Sequence, residues 1–289
     1  MSTILVTGGA GRLGANVAFG LRERGHIVRV MDIEAADFSP FEDREGFEII
    51  KGDIRNGELV KKSVSGCSMV FHLAAVLPPA SEKDRTLTMS VNVEGTRAVL
   101  HACAPAGSIP LAFSSSVSTY GDTSTEMPPV QIDHSQVALN IYPESKIASE
   151  KLVKEAGVPY TILRIAGIAV PAFLDPPDPW PFMRNQRVEF VAINDLVTAL
   201  VNLVDNSRAQ GKIFNLAGGS SWQMTGEEYA RRYCQTLQIS FDSQKFYDKP
   251  GWLDWYDTPQ SQAILKYQNT SFDQFHAMLK TAMDAALGD

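Results

Sequence analysis

Residues 7–14 read TGGAGRLG and directly follow the apolar run TILVT. Because glycine has no side chain, Gly8, Gly11 and Gly14 allow a bound group to approach the backbone closely. A helical repeat of apolar residues starts at Leu13, so the glycines fall where a strand ends and a helix begins. This arrangement predicts a pyrophosphate site at the helix N-terminus, where free N–H groups and a partial positive charge meet the anion. The alternative is a glycine turn that serves only tight strand–helix packing.

The first 165 residues alternate short apolar runs with segments of helical period, which is typical of βαβ units and a parallel sheet buried on both faces. The pattern predicts strands at 3–7, 27–31, 48–50, 69–73, 109–114 and 159–164. It predicts helices between them at 12–24, 56–64, 87–104 and 142–156.

The rhythm changes after residue 165. Prolines crowd residues 169–182, and because proline lacks a backbone donor an irregular loop is expected there. Beyond the loop the pattern predicts a strand near 189–193, a helix near 194–206, a strand near 212–216, and two or three helices including one near 271–287. We therefore divide the chain into a dinucleotide-binding domain, 1–165, and a smaller substrate lobe, 166–289, with returns to the main domain near 189–217.

Composition narrows the function classes. The chain has 289 residues, 44% hydrophobic and 20% charged, with a formal net charge of −7 and scattered basic residues, which argues against nucleic acid as a partner. Cys67, Cys103 and Cys234 are widely spaced, and no cysteine or histidine cluster has the spacing of a metal site. The start lacks signal-peptide features and no long apolar span is present, so we expect a soluble, cytoplasmic protein without a metal.

Asp32 ends the second predicted strand, about two dozen residues after the first glycine of the loop. A carboxylate there accepts hydrogen bonds from the two adenosine ribose hydroxyls and repels a 2′-phosphate. No arginine follows it, so NAD is favoured over NADP, although Arg12 inside the glycine loop is a cation that could compensate. The alternative for Asp32 is an ordinary turn residue.

Residues 142–146 read YPESK. A spacing of four places Tyr142 and Lys146 on one face of a helix, where the two side chains can act together. The spacing alone does not separate a proton-transferring pair from an ordinary helix start, because Pro143 and Glu144 also suit a first helical turn.

Further segments appear in a fixed order, and with the glycine loop they resemble the extended short-chain dehydrogenase/reductase family of NAD-dependent epimerases and dehydratases. The matching segments are GDI (52–54), FHLAA (71–75), NVEGT (92–96), FSSSVSTYG (113–121), YPESK (142–146), LRIAG (163–167) and EFVAINDLVTAL (189–200). The resemblance covers roughly residues 3–217. It implies a Rossmann-type, doubly wound α/β fold with a smaller C-terminal substrate lobe, and an enzyme that uses a nicotinamide cofactor.

The resemblance also implies the roles of the site residues. Tyr142 would be the acid/base for the substrate oxygen, Lys146 would lower the pKa of Tyr142 and bind the nicotinamide ribose, and Ser116 would orient the same oxygen. Ser115 is the alternative if the register differs by one residue. The expected cofactor contacts are Gly8, Gly11, Arg12, Leu13, Gly14, Asp32, Asp53, Ile54, Leu73, Ala74, Ala75, Asn92, Ser114, Tyr142 and Lys146.

The sequence departs from nucleotide-sugar enzymes in the segment between Arg164 and Asp195, which is short here. Its proline-rich loop offers only Arg184 and Arg187 to hold a diphosphate. We therefore expect a small hydroxyl or keto substrate, such as a sugar derivative, with a nucleotide-sugar epimerase or dehydratase as the alternative. Side chains beyond the strand ends would contact that substrate: Leu77, Ser116, Thr119, Phe173 and Trp180.

Two further alternatives stay open. A non-catalytic NAD(P)-sensing regulator would bind the cofactor without turnover, although such proteins usually lack the Tyr142–Lys146 pair. Sequence does not separate an epimerase or dehydratase from a simple dehydrogenase. By analogy with the family, the helices near 87–104 and 142–156 predict a homodimer.

Overall fold

The computed structural model describes residues 1–104 and 109–288. The strands in chain order are β1 (Thr3–Thr7), β2 (Ile27–Asp32), β3 (Phe47–Lys51), β4 (Met69–His72), β5 (Leu111–Ser116), β6 (Tyr160–Ile165), β7 (Gly167–Ala169), β8 (Arg187–Val188), β9 (Phe190–Ala192), β10 (Lys212–Leu216) and β11 (Met224–Thr225). Seven of them form one parallel sheet in the order β10-β6-β5-β4-β1-β2-β3.

The α-helices are α1 (Arg12–Glu23), α2 (Gly57–Val64), α3 (Arg85–Met89), α4 (Gly95–Cys103), α5 (Ile141–Glu155), α6 (Ile193–Val201), α7 (Gly226–Leu237), α8 (Pro259–Leu265) and α9 (Phe272–Leu287). A π-helical turn, Ser90–Glu94, joins α3 to α4. Short 3-10 turns lie at Ala80–Glu82, Val117–Tyr120, Ser207–Ala209 and Ser220–Trp222.

The sheet is covered on both faces, as a parallel sheet of apolar strands requires. Helices α1 and α6 pack together over one face, on a core that includes Val17, Leu21 and Leu200. Helices α2, α4 and α5 cover the other face, on a core that includes Val99 and Val153. The result is the doubly wound α/β arrangement.

The strand order reverses between β1 and β4, because β2 and β3 lie on one side of β1 while β4, β5 and β6 lie on the other. Ligands of open α/β sheets bind in the crevice outside the carboxyl ends of the strands at such a reversal. The glycine loop, the serines at the end of β5 and the start of α5 all belong to this edge, which therefore positions the site.

The C-terminal lobe has its own apolar cluster, which is rich in aromatic side chains and includes Trp180, Phe182, Trp222, Tyr229 and Phe275. Two small two-stranded sheets, β7 with β9 and β8 with β11, flank it. Strand β10 leaves the lobe and pairs with β6, so the lobe is joined to the edge of the main sheet.

The fold predicted from the sequence is confirmed, with local differences in bounds. The segment predicted as one helix at 87–104 contains the π-helical turn, strand β5 runs two residues beyond its predicted end, to Ser116, and α6 ends at Val201 rather than near 206. The segment 170–186 carries no regular helix or strand, as its prolines predict. The domain boundary at residue 165 stays a prediction, and residue 289 of the predicted lobe lies outside the described residues.

Candidate active site

The glycine loop packs too closely for side chains at Gly8, Gly9 and Gly14; at Gly9 a Cβ would lie 2.7 Å from a backbone oxygen of β1. A Cβ on Gly14 would lie 2.0 Å from the carbonyl oxygen of Gly8. Gly8 itself has φ of +67°, and a Cβ there would lie 2.7 Å from the backbone nitrogen of Ala74. Gly11 is less constrained, because a Cβ there would lie 3.3 Å from its nearest neighbour, the oxygen of Gly8. The start of α1 thus packs directly on the loop at Gly8, and Gly8 in turn packs directly on the chain that follows β4.

Helix α1 presents free donors at the loop. Among the described residues, the backbone N–H groups of Arg12, Leu13 and Gly14 have no hydrogen-bond acceptor, and the first turn carries no acidic residue. Unpaired N–H groups and the positive end of the helix dipole suit an anion such as a pyrophosphate. The residues present therefore fit the phosphate part of a dinucleotide.

Asp32 lies at the end of β2, half-buried beside the glycine loop. Its Oδ2 accepts from the N–H of Ala10 at 3.1 Å and its Oδ1 from the N–H of Ile33 at 2.8 Å. A carboxylate has about four acceptor positions, so two remain for the hydroxyls of a ribose. The carboxylate thus orders the loop while keeping acceptor capacity.

Asp53 and Ile54 follow β3. The Asp53 carboxylate is paired with Arg55 at 2.5 Å, and this hydrogen-bonded ion pair lowers the pKa of Asp53. The Ile54 side chain is buried and packs against Gly95, where a Cβ would lie 2.7 Å from Ile54 Cγ2. Glycine in the segment NVEGT is therefore needed for the approach of α4 to this loop.

The end of β4 rests on a buried histidine. His72 Nδ1 lies 2.7 Å from Thr7 Oγ1, and its Nε2 lies 3.0 Å from Thr96 Oγ1. Thr96 donates its own proton to the carbonyl of Asn92, so His72 Nε2–H donates to Thr96 and Nδ1 accepts from Thr7. Burial, aided by the nearby Lys146 charge, lowers the pKa of His72 to about 3, so the ring is neutral.

Beyond His72 the chain passes under the glycine loop. Leu73, Ala74 and Ala75 are half-buried there. The N–H groups of Leu73 and Ala74 donate to Thr7, to its carbonyl at 3.1 Å and to its hydroxyl at 3.4 Å. Leu73 and Ala74 thus lie directly beside Gly8, and the expected contacts of all three residues with the cofactor stay a prediction.

The side-chain amide of Asn92, in the π-helical turn, forms hydrogen bonds to two separate segments of the chain. Its oxygen accepts from the N–H of Val76 at 2.7 Å, and its nitrogen donates to the carbonyl of Val76 at 3.2 Å and to the hydroxyl of Ser145 at 2.9 Å. The contacts made by Asn92 are therefore with the chain after β4 and with α5. Its expected contact with the cofactor stays a prediction.

The serines of β5 point alternately to the two faces of the sheet. Ser114 Oγ donates to the carbonyl of His72 at 3.1 Å, and Ser115 Oγ donates to the carboxylate of Glu150 at 2.6 Å. Ser116 Oγ accepts from the N–H and the hydroxyl of Ser118, at 3.1 and 2.9 Å. Ser115 is therefore committed to a buried carboxylate on the face opposite Ser114 and Ser116.

Helix α5 brings Tyr142 and Lys146 together beside the end of β5. Lys146 Nζ donates to the carbonyl of Ser114 at 2.7 Å and lies 5.6 Å from the centre of the Tyr142 ring. The Lys146 side chain is almost fully buried, whereas Tyr142 is half-buried and keeps an open side. The structure thus places the predicted pair on one helix face and links it to the serine strand.

The resemblance implies that Lys146 lowers the pKa of Tyr142, but in the structure burial is the largest influence on the pKa of both side chains. Burial raises the pKa of Tyr142, because an ionised phenol is poorly solvated there. Burial also lowers the pKa of Lys146 to about 7, against the opposing effect of Glu150. The ammonium is therefore only partly charged near neutral pH, and helical spacing alone does not reveal this burial.

Sequence reasoning missed Glu82, which caps α5 from a distant turn. Its Oε2 accepts from the N–H of Ile141 at 2.9 Å and its Oε1 from the N–H of Tyr142 at 3.0 Å. Next to it, Arg85 forms an ion pair with Glu144, with Nη2 2.6 Å from Oε1. No local pattern reveals this cap, because the partners are 59 and 60 residues apart.

A second missed residue is Glu150, which forms a buried ion pair behind the site. Arg164 Nη2 lies 2.8 Å from Glu150 Oε2, and Arg164 Nη1 donates to the hydroxyl of Tyr120 at 3.0 Å. Burial alone would raise the pKa of Glu150, but the hydrogen bonds and charges of its partners, Arg164 above all, together hold that pKa below its usual range. The signal was present in the sequence, since Glu150 is four residues after Lys146 and on the same helix face.

The residues expected to contact substrate have different environments. Leu77 and Phe173 are exposed, at 56% and 43%. Thr119 is fully buried and donates its hydroxyl proton to the carbonyl of Ser116 at 2.8 Å. Trp180 is 3% exposed, packs in the aromatic cluster of the lobe and donates its indole N–H to Gln244 at 3.0 Å. Of these four, Leu77 and Phe173 have exposed side chains, whereas Thr119 and Trp180 are enclosed by other residues of the protein.

No helix within residues 1–104 and 109–288 has both the length and the apolar character required to cross a membrane. Over the same ranges, no three His, Cys, Asp or Glu side chains are grouped so as to hold a metal ion.

The chain is similar in sequence to known dehydrogenases. It is 34% identical over 159 residues to the 3-beta-hydroxysteroid dehydrogenase of Mycolicibacterium neoaurum, a match that covers 53% of this chain and 43% of that protein. It is 31% identical over 175 residues to the decarboxylating sterol-4-alpha-carboxylate 3-dehydrogenase of Mus musculus, covering 60% of this chain and 46% of that protein. The chain thus spans less than half the length of these curated relatives.

Solved structures share the fold over the whole chain. A short-chain dehydrogenase/reductase superfamily protein from Agrobacterium tumefaciens with bound NAD superposes with a TM-score of 0.83 at 24% identity, covering 99% of this chain and 98% of that one. The UDP-glucose 4-epimerase of Thermotoga maritima, with UDP-glucose, superposes with a TM-score of 0.84 at 19% identity, covering 99% of each chain. In sequence, residues 4–173 match the NAD dependent epimerase/dehydratase family. The match takes in the glycine loop, the β5 serines and the Tyr142–Lys146 pair, over more than half of the chain, which therefore belongs to that family.

Proposed function

We propose that this protein is an NAD-dependent oxidoreductase or epimerase that acts on a small hydroxyl or keto substrate, with Tyr142 as the acid/base. The observation that carries the proposal is the joining of Tyr142, Lys146 and the β5 serines at the carboxyl edge of the sheet, beside a glycine loop with free N–H groups. A nicotinamide cofactor bound there supplies a hydride acceptor or donor.

Each side chain of the site has a definite task in this proposal. Tyr142 gives or takes the proton of the substrate oxygen, and its raised pKa keeps the phenol protonated near neutral pH, ready to donate. The Ser116 hydroxyl donates a hydrogen bond to the same oxygen. Lys146, held by the Ser114 carbonyl, places a partly charged ammonium next to the ring.

We further propose NAD rather than NADP. The remaining acceptor positions of Asp32 suit two ribose hydroxyls, and a 2′-phosphate would meet its negative charge. The two residues that follow, Ile33 and Glu34, supply no cation. Arg12 is the one basic side chain in the loop, and it is exposed without an ion pair among the described residues, so Arg12→Gln tests whether it contributes to cofactor affinity.

A small substrate is supported by the two arginines that could have held a nucleotide diphosphate. Arg187 forms a two-point ion pair with Asp254, at 2.5 and 2.9 Å, and also donates to backbone carbonyls. Arg184 stacks on Phe246, 4.5 Å from the ring centre, with Glu227 4.0 Å away. The charge of Arg187 is therefore already balanced by Asp254, and a diphosphate at Arg184 would have to compete with Phe246 and Glu227.

Assembly and location complete the proposal. We infer a homodimer built on α4 and α5, in line with the family analogy, and a cytoplasmic location, in line with three buried, unpaired cysteines. Sedimentation of the purified chain tests the first, and fluorescent tagging in the source cell tests the second.

The function is tested with the purified chain, NAD and a panel of small secondary alcohols and ketones. We expect calorimetry to detect NAD binding and absorbance at 340 nm to detect turnover. Tyr142→Phe should reduce turnover by about 10²–10⁴-fold while NAD affinity stays within a few-fold. The matched control is Tyr247→Phe, an exposed tyrosine outside the site, which should behave as the native chain. Absence of NAD uptake would disprove the proposal, and uptake without any turnover would favour a cofactor-sensing regulator.

A further inference from the structure

A cavity of about 220 Å³ lies between the glycine-loop end of α1 and the C-terminal lobe. Its wall is predominantly apolar and aromatic, with side chains that include Ile168, Trp180, Phe182, Phe190, Tyr229 and Phe275. It is separate from the side chains of Ser116, Tyr142 and Lys146, none of which lines it.

The position of the cavity connects it to the predicted chemistry. Arg12, the first residue of α1, forms one part of the wall, and Ile168–Val170, which follow β6, form another. Both segments come directly after carboxyl ends of sheet strands, at the edge where β5 also ends. The cavity therefore lies at the edge of the sheet outside which ligands of open α/β sheets bind.

The wall offers few side-chain hydrogen-bonding groups to a ligand: besides its charged residues, these are the Trp180 indole and the hydroxyls of Tyr229 and Tyr233. The Trp180 indole N–H is already bonded to Gln244, so it is not free for a guest. The charged side chains of the wall, Arg12 and Asp175, are both exposed and opposite in sign, so the wall has no net charge. A sugar placed here would bury more hydroxyl groups than the two phenols can pair, and each group left unpaired costs about 1–3 kcal/mol.

The volume of the cavity limits the kind of ligand that it can hold. An apolar cavity of roughly 150 Å³ holds one benzene molecule, so 220 Å³ suits one ring or two fused rings. We propose that this cavity binds an uncharged, apolar ring of the substrate whose hydroxyl or keto group reacts at Tyr142. The substrate role rests on the proposed function, whereas the binding of an apolar ring rests on the cavity itself.

The test is calorimetric binding to the purified chain of two uncharged probes, 1-(2-naphthyl)ethanol and methyl glucoside. The blocking variant is Ile168→Trp, which fills the cavity from a side chain that is 39% exposed. The matched control is Ile239→Trp, at a side chain that is 40% exposed and lies outside the cavity wall. NAD is titrated into each protein in parallel.

We expect the native chain to bind one naphthyl probe per chain and to give no heat with the glucoside. Ile168→Trp should weaken binding of the naphthyl probe roughly tenfold or more. Ile239→Trp should bind it with native affinity. The assignment is overturned if the native chain does not bind the naphthyl probe, if Ile168→Trp binds it as the native chain does, or if the glucoside binds equally well. Intact NAD uptake with no probe binding overturns the cavity assignment alone. Probe binding without NAD uptake overturns the oxidoreductase, and with it the role of the ring as part of a substrate.

Discussion

At the scale of single residues, strand alternation separates the serines of the FSSS run, since Ser115 points to one face of the sheet and Ser114 and Ser116 point to the other. Three successive serines are chemically identical in the sequence, so the register stayed open by one residue. In the structure Ser115 donates to the buried Glu150, while Ser116 lies on the opposite face with Ser114, whose carbonyl accepts from Lys146. The engagement of Ser115 depends on a charged partner 35 residues away, which no local pattern contains, and the catalytic role of Ser116 stays a prediction.

Substitution of the two serines should therefore have opposite consequences. Ser116→Ala should reduce turnover by about 10²-fold, because a hydrogen bond to the substrate oxygen is lost. Ser115→Ala should keep most of the turnover but reduce the free energy of unfolding by about 1–3 kcal/mol, because the buried Glu150 loses a donor. Steady-state kinetics and urea unfolding of both variants check this. Loss of turnover in Ser115→Ala with activity kept in Ser116→Ala would mean that the register is wrong.

At the scale of elements, the helical and strand periods in the sequence predicted which helices and strands exist and in what order. They did not predict the contacts that hold these elements together. The 87–104 segment reads as one helix, yet it contains the π-helical turn that carries Asn92 into contact with Val76 and Ser145. Helix α5 begins where its first-turn residues predict, but the Asn140 side chain does not cap it. The cap comes from Glu82 in a separate turn. The hydrogen bonds of Asn92 and the Glu82 cap are both contacts between segments that are distant in sequence.

The Glu82 cap should contribute measurably to the position of Tyr142. Glu82→Gln removes the charge and leaves one acceptor oxygen for two N–H donors, so the free energy of unfolding should fall by about 1–2 kcal/mol. Because Tyr142 is itself one of the capped residues, turnover should fall while NAD affinity is kept. Urea unfolding, kinetics and NAD calorimetry provide the three readouts.

The control for this variant is Glu94→Gln. Glu94 is paired with Arg97 on an exposed helical surface, where an ion pair contributes little to stability. Equal unfolding free energies for Glu82→Gln and Glu94→Gln would contradict the capping role.

At the scale of the whole molecule, alternating strands and helices were sufficient to predict the parallel sheet, because each unit buries its own apolar face. The lobe was less predictable, because it is assembled from contacts between distant segments. Glu189, fully buried, shows this: its carboxylate accepts from the N–H of Gly219 at 2.7 Å, from the Gln223 amide at 3.1 Å and from the N–H of Tyr256 at 2.9 Å. One side chain thus ties three segments of the chain together.

The same carboxylate should make the stability of the protein depend on pH. Burial raises the pKa of Glu189 from 4.5 to about 7, against the opposing effect of its three hydrogen bonds. Between these two pH values the folded chain holds a proton that the unfolded chain releases, so the stabilising contribution is complete below about pH 4.5 and is lost as the pH rises to 7.

The Glu189→Gln variant has no titrating group at this position. Relative to the native chain, its free energy of unfolding should therefore improve by about 2–3 kcal/mol between pH 4.5 and 7.5. Urea unfolding across this range, with Glu94→Gln as the control that keeps the native slope, measures the difference. If Glu189→Gln and the native chain have parallel pH profiles, Glu189 is ionised throughout, and its hydrogen-bond donors outweigh its burial.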